Sequence, residues 1–269
     1  MIEMLSYPFM QRALIVGLLL SICAALVGVS LVLRRNSMIG DGLSHTAFSA
    51  FALATVLGFA PLAFSLPIVI IASFFVLRLS KNRKVYGDAA IGVLSASSLA
   101  IGPFAISVTK GINIDLNSYL FGSILSVSWL DVLWSVLLAI AVAGLYLLAY
   151  HRIFAITFDE DFAKSVGVKT EIYDAIFAVI CSVVIVLGMR LLGSLLISSL
   201  IIFPTLTAMR FCHTCKGVVM GAAIVSTLAF LFGLVASYFM ATPTGATVVI
   251  ANLIIFIFAT IFEKVSKQN

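Results

Sequence analysis

Nine apolar runs follow one another along this chain, each about as long as a helix that crosses a bilayer. They are Ala13–Leu33, Met38–Phe59, Leu62–Leu79, Ala89–Thr109, Leu130–Tyr150, Ile172–Met189, Leu192–Met209, Val218–Phe239 and Ala246–Phe262. About 20 apolar residues are what one spanning helix needs. The predicted fold is all-α: a polytopic membrane helical bundle of about eight or nine transmembrane helices. Hydrophobic residues make up 62% of the chain and charged residues 10%, so no polar stretch is long enough for a separate soluble domain. Residues 1–269 therefore read as one integral membrane domain.

The net charge of +5 is no nucleic-acid signal, because the basic residues sit singly or in short clusters at the ends of the runs. That distribution reports orientation. The clusters Arg34-Arg35, Lys81–Lys84, Arg152–Lys169, Arg210–Lys216 and Lys264–Lys267 alternate correctly if all are cytoplasmic. Nine spans then place the N-terminus outside and the C-terminus inside, with Arg12 and Arg190 as exceptions on the outer side. The alternative is eight spans, with one run re-entrant or the first lying at the interface. Met1 to Gln11 has no basic leader and the following run is long enough to span, so no cleaved signal is expected.

Two connections are more than turns. Lys110–Trp129 lies outside in this topology. Its stretch at about 113–128 is too short to span and too apolar for a free loop, which predicts a re-entrant or interfacial segment with Tyr119 and Trp129 at the head-group level. His151–Glu171 is cytoplasmic. It carries Phe158, Phe162 and Val166 at a spacing of four, with Asp159, Glu160, Asp161 and Lys164 between them. This predicts a short amphipathic helix, either a solvated connector or a docking element for a cytoplasmic partner.

Asp41 and His45 stand at the start of the second run. An ionisable residue in lipid costs roughly 2.5–3.5 kcal/mol on insertion scales and therefore points to function. Four residues is about one helical turn, so both side chains share a face. A carboxylate and an imidazole suit a divalent metal, but zinc takes about four ligands. A two-fold dimer with this helix at its axis would supply two of each. The plainer alternative is that Asp41 caps the helix and His45 is a satisfied interior histidine. A proton relay is a third reading.

Other features carry less. Cys23 and Cys181 lie in apolar runs as packing residues. Cys212-His213-Thr214-Cys215 invites a metal or redox reading, yet no second pair completes a zinc site. Pro204 predicts a packing kink, a hinge or a discontinuous helix beside a pathway. Gly193, Ser194, Ser198 and Ser199 on the same run permit close packing. No phosphate-binding loop occurs and no nucleophile–base pattern stands out, so any energy from a nucleotide would come from another chain.

Taken in order, these segments resemble the permease subunit of bacterial ABC importers for zinc, manganese or iron(II). Leu33-Arg34-Arg35 through Gly40-Asp41-Gly42-Leu43-Ser44-His45 is similar to the family's arginine pair and G-D-x-x-S-H segment. Asp115 through Leu120-Phe121-Gly122 to Leu125 resembles its extracytoplasmic segment. Phe158-Asp159-Glu160-Asp161-Phe162-Ala163 with Gly167 resembles its coupling loop. Leu192-Gly193-Ser194 through Pro204 and Ala208, and Thr242-Pro243-Thr244-Gly245-Ala246, resemble its last two motifs. The resemblance implies a type II ABC importer-like permease in the bacterial cytoplasmic membrane. It implies a homodimer, a cytoplasmic ATPase dimer and an extracytoplasmic metal-binding protein. It makes Asp41 and His45 ligands of a transported ion, with no cofactor held permanently. It makes a segment at about 155–170 the ATPase-coupling element, through Phe158, Asp159, Glu160, Phe162 and Gly167. The rival function is a proton-coupled secondary transporter using Asp41 and His45 as a relay. The Cys-His-Thr-Cys segment departs from the basic character that the family's loop usually has.

Overall fold

A computed structural model describes residues 6–80, 87–109, 120–122 and 127–266. These residues form helices α1 (Pro8–Leu33), α2 (Ile39–Leu57), α3 (Pro61–Ser80), α4 (Gly87–Val108), α5 (Trp129–Phe158), α6 (Glu160–Ser165), α7 (Thr170–Leu192), α8 (Ser194–Phe211), α9 (Cys215–Met240) and α10 (Thr244–Ser266). Among the described residues there is no strand.

Contacts between helices fix their directions. Arg34, at the end of α1, pairs with Asp174 near the start of α7, and Arg190 near the end of α7 pairs with Asp131 at the start of α5. Ser73 donates to the Ala178 carbonyl and Ser182 to the Val69 carbonyl, which sets α3 antiparallel to α7. Gly42 faces Ile91 and Gly102 faces Phe48, which sets α2 parallel to α4. Arg210 and Glu263 pair at the C-terminal ends of α8 and α10. Apart from the short α6, the helices alternate in direction, and Arg34, Arg210, Lys164 and Lys216 gather at one end, called here the basic end. Arg190 lies at the far end, but its guanidinium is 3.0 Å from a carboxylate oxygen of Asp131. A paired cation carries little orientation signal.

Eight of the described helices are long and apolar enough to cross a membrane. The remaining long helix is α2, so the second of the nine runs does not meet that standard by composition. Packing supplies what composition lacks: 14 of its 19 residues are buried, against α3, α4, α7 and α8. A helix enclosed by helices need not be compatible with lipid. A second departure concerns α5. The expected span ended at Tyr150, yet the helix runs 30 residues to Phe158 and carries Arg152 within it. A long helix can leave the hydrocarbon and continue in the aqueous phase without any change of backbone geometry.

Lipid tails are as apolar as leucine, so helices associate here through close packing and hydrogen bonds. A Cβ on Gly28 would lie 2.1 Å from the carbonyl oxygen of Ile201, so α1 and α8 meet backbone to backbone only because position 28 has none. Buried hydroxyls find polar partners: Ser226 donates to the Ser21 carbonyl at 2.8 Å, and the hydroxyls of Ser30 and Tyr146 lie 2.6 Å apart. At the far end Gly122 (φ +76°) and Gly193 (φ +93°) interlock, each occupying the space a side chain on the other would need. That contact fastens residues 120–122 to the turn between α7 and α8. The rest of the extracytoplasmic segment expected at 113–128, including Tyr119, lies outside the described residues, except for 127 and 128.

Candidate functional site

The site begins with a tight reversal after α1. Arg35 adopts φ +60°, the Asn36 amide donates to the Leu31 carbonyl at 2.8 Å, and the Ile39 amide donates to the Asn36 carbonyl at 3.1 Å. The chain thereby turns back into the bundle and starts α2 at a depth. Gly40 packs on Ile201, from which α8 continues ten more residues to Phe211, about 15 Å of helix. The run of apolar letters begins at Met38, so by residue count Asp41 lies only one turn into its span. The structure moves it inward, because that span starts inside the bundle rather than at its rim.

Met38 occupies the N-cap of α2, and no side chain caps this helix. The capping role considered for Asp41 is therefore absent, although its carboxylate still lies in the first turn, where the helix dipole favours a negative charge. Asp41 Oδ1 and His45 Nε2 are 3.5 Å apart, as their spacing predicted. His45 is nearly enclosed, with a side chain 11% exposed, while that of Asp41 is 33% exposed. Nδ1 of His45 is buried without a hydrogen-bond partner. The other face of the pair is α8. Ser44 donates to the Asp41 carbonyl at 2.8 Å, its hydroxyl lies 3.0 Å from that of Ser198, and Ser198 also faces the Asp41 side chain. Ser198 read from sequence only as a small packing residue. Its signal was the repeat Ser194-x-x-x-Ser198, which puts two hydroxyls on one face of α8. Among the described residues no three His, Cys, Asp or Glu side chains converge. One chain thus offers two donors, an anionic oxygen and an imidazole nitrogen, with polar hydroxyls beside them.

A second constellation lies at the basic end. The amphipathic helix expected over 158–166 divides there. Phe158 ends α5, and α6 spans only Glu160–Ser165. Asp159 makes the break, with φ −150°: it ends α5 and caps α6, its carboxylate accepting from the Phe162 amide at 2.9 Å. A capping Asp favours a new helix start over continuation. Glu160 pairs with Lys164 at 2.9 Å, and this hydrogen bond raises the pKa of the Lys164 ammonium above its ordinary value. Gly167 takes φ +84° to turn the chain toward α7. Phe158, Phe162 and Val166 remain 62%, 58% and 58% exposed. Exposed apolar side chains gathered around a short polar helix form a surface of the kind that fits a partner groove.

Pro204 is buried in α8, which runs unbroken through it from Ser194 to Phe211. The discontinuity considered at this proline is instead at Gly193, between α7 and α8. Cys212, His213, Thr214 and Cys215 form the turn from α8 to α9, where Thr214 accepts from the Gly217 amide at 3.2 Å and both cysteines are free thiols.

The ABC 3 transport family model matches residues 6–263. The high-affinity zinc uptake system membrane protein ZnuB of Haemophilus influenzae is 29% identical over 251 residues, covering 93% of this chain and 96% of that protein. The manganese import system permease protein ScaB of Streptococcus parasanguinis is 28% identical over 263 residues, covering 98% and 94%. Among solved structures, PsaBC from Streptococcus pneumoniae in complex with Fab aligns at a TM-score of 0.82 and 28% identity, over 94% of this chain and 91% of that one.

Proposed function

The chain belongs to the ABC 3 transport family, and from that premise we propose that it is the membrane permease of an ATP-driven importer for a divalent transition metal. It is a transport subunit rather than an enzyme, and ATP hydrolysis belongs to a separate chain. The observation that carries the metal reading is the Asp41–His45 pair at 3.5 Å, on the most enclosed helix of the bundle. The Nε2 nitrogen of a nearly enclosed imidazole and the carboxylate oxygen 3.5 Å from it are a donor set for such an ion. Zinc ranks first, then manganese or iron(II), because nitrogen donors and the affinity order both favour zinc over manganese.

Two copies of the chain related by a two-fold axis bring two Asp41 carboxylates and two His45 imidazoles to one ion, which matches the coordination number of zinc. Neither copy alone holds the ion, so release needs only a small relative movement of the two α2 helices. An extracytoplasmic binding protein delivers the ion at the far end. A cytoplasmic ATPase dimer engages α6 and the end of α5 through Phe162 and Phe158, with Asp159, Glu160 and Gly167 shaping that junction. Pro204 borders the pathway on α8. The setting is the bacterial cytoplasmic membrane.

The test is uptake of radioactive zinc, with manganese as competitor, by cells or proteoliposomes carrying the complete importer. His45→Ala and Asp41→Asn are expected to abolish uptake while the chain stays in the membrane at its normal amount. Normal uptake in His45→Ala would reduce the pair to a packing feature. Uptake that survives loss of the ATPase and collapses with the proton gradient would replace the ATP-driven reading with a proton relay.

A further inference from the structure

We propose that Arg34 is the positioning residue through which movement of α6 reaches the Asp41–His45 site; this rests on the reading of α6 as the ATPase contact. Arg34 holds both limbs of that helix. Its Nη1 donates to Asp174 Oδ1 at 2.8 Å, and its guanidinium lies 5.3 Å from the Phe177 ring centre, both on the first turns of α7. Its Nε donates to Thr157 Oγ1 at 3.4 Å, one residue before Phe158 at the end of α5. Chain entering α6 and chain leaving it are therefore tied to one guanidinium. The side chains of Arg34 and Asp174 are 11% and 14% exposed, so this pair is shielded from solvent, unlike the surface pairs that contribute little.

On its other side Arg34 is covalently close to the site. It is the C-cap residue of α1, and the reversal at Arg35 and Asn36, braced by the Leu31 carbonyl, leads directly into the first turn of α2. The linkage has few soft joints: a capped helix end, a hydrogen-bonded turn and a helix start packed on Ile201. Arg34, Asn36, Glu160 and Asp174 also line a cleft of about 250 Å³ beside the turn that leads to α2. The helix ends around Arg34 thus have room to shift, whereas a close-packed interior would resist displacement. When the ATPase displaces α6, the α5 and α7 limbs carry Arg34 with them, and the turn transmits that shift to Asp41.

The experiment uses the full importer, with its ATPase and binding protein, in proteoliposomes. The readout is metal translocated per ATP hydrolysed. Arg34→Gln and Asp174→Asn are expected to lower this ratio about fivefold or more while the ATPase stays bound and active. The exchange Arg34→Asp with Asp174→Arg is expected to restore part of it, and Arg34→Lys to fall between. Where Arg34→Gln does not assemble, Asp174→Asn and Arg34→Lys carry the same readout. A ratio unchanged in these variants, or a proportional fall in transport and hydrolysis together, overturns the role of Arg34. Failure of the unmodified complex to move metal would overturn the proposed function instead.

Discussion

Asp131 and Arg190 allow a prediction of stability with an asymmetry built into it. Asp131 is 2% exposed, and its two carboxylate oxygens are served differently. Oδ1 forms an ion pair with Arg190 at 3.0 Å, while Oδ2 accepts from the Ser128 amide at 2.9 Å and the Ser128 hydroxyl at 2.7 Å. Arg190→Gln leaves a buried carboxylate with one oxygen uncompensated, which costs about 3–5 kcal/mol. Asp131→Asn keeps an acceptor for Ser128, and the guanidinium it abandons is already 39% exposed and can rehydrate. That loss is about 1–1.5 kcal/mol. The double variant removes the stranded charge, so it is expected to resemble Asp131→Asn rather than the sum of the two. At about 2–4 °C per kcal/mol, Arg190→Gln lowers the melting temperature by roughly 6–20 °C and Asp131→Asn by roughly 2–6 °C. The buried free thiols Cys23 and Cys181 supply the assay, since a thiol-reactive fluorophore reaches them only on unfolding. Equal shifts in the two single variants, or additive loss in the double, would refute the reasoning.

Two further predictions rest on contacts already described. Gly28→Val drives a Cβ into the Ile201 carbonyl, and is expected to lower stability by about 1–3 kcal/mol or more, seen as loss of monodisperse protein after detergent extraction. Phe162→Ala and Phe158→Ala change exposed side chains, so stability should move by no more than about 0.5 kcal/mol. The same variants should weaken capture of the cognate ATPase by on the order of tenfold or more, measured by binding to the immobilised complex; undiminished capture would detach α6 from that role.

The helices themselves were legible in the sequence, because hydrocarbon admits few backbone solutions and twenty apolar letters announce one of them. Arg34-Arg35 and the later basic clusters gave the alternation of direction. The Asp41–His45 contact followed from a spacing of four on a helix. What escaped reading depends on partners distant in sequence. Nothing near Ser198 says that its hydroxyl faces α2, and nothing near Arg190 says that Asp131 neutralises it. Arg34 looked like an orientation signal, although its guanidinium is spent on Asp174 and Thr157, more than a hundred residues away. The depth of Asp41 was misleading for a related reason. Apolar runs report where hydropathy changes, whereas the start of α2 is decided by a hydrogen-bonded turn.

The enclosure of α2 has a consequence for how the protein is made. A helix that enters the membrane as it emerges from the ribosome does so before its later neighbours exist. By that route α2 would enter before α7 and α8 are available to cover Asp41 and His45. Its own apolarity gives it a weak claim on the bilayer, since it is the one long helix among the described residues whose composition falls short of that of a spanning helix. α1 is among the most apolar of the helices, with a mean hydropathy of 2.7, and it is joined to α2 by only five residues, Arg34 to Met38. Entry of the two as a hairpin would let α1 supply the insertion energy that α2 lacks. The polarity of α2 would then tie its insertion to the helix before it.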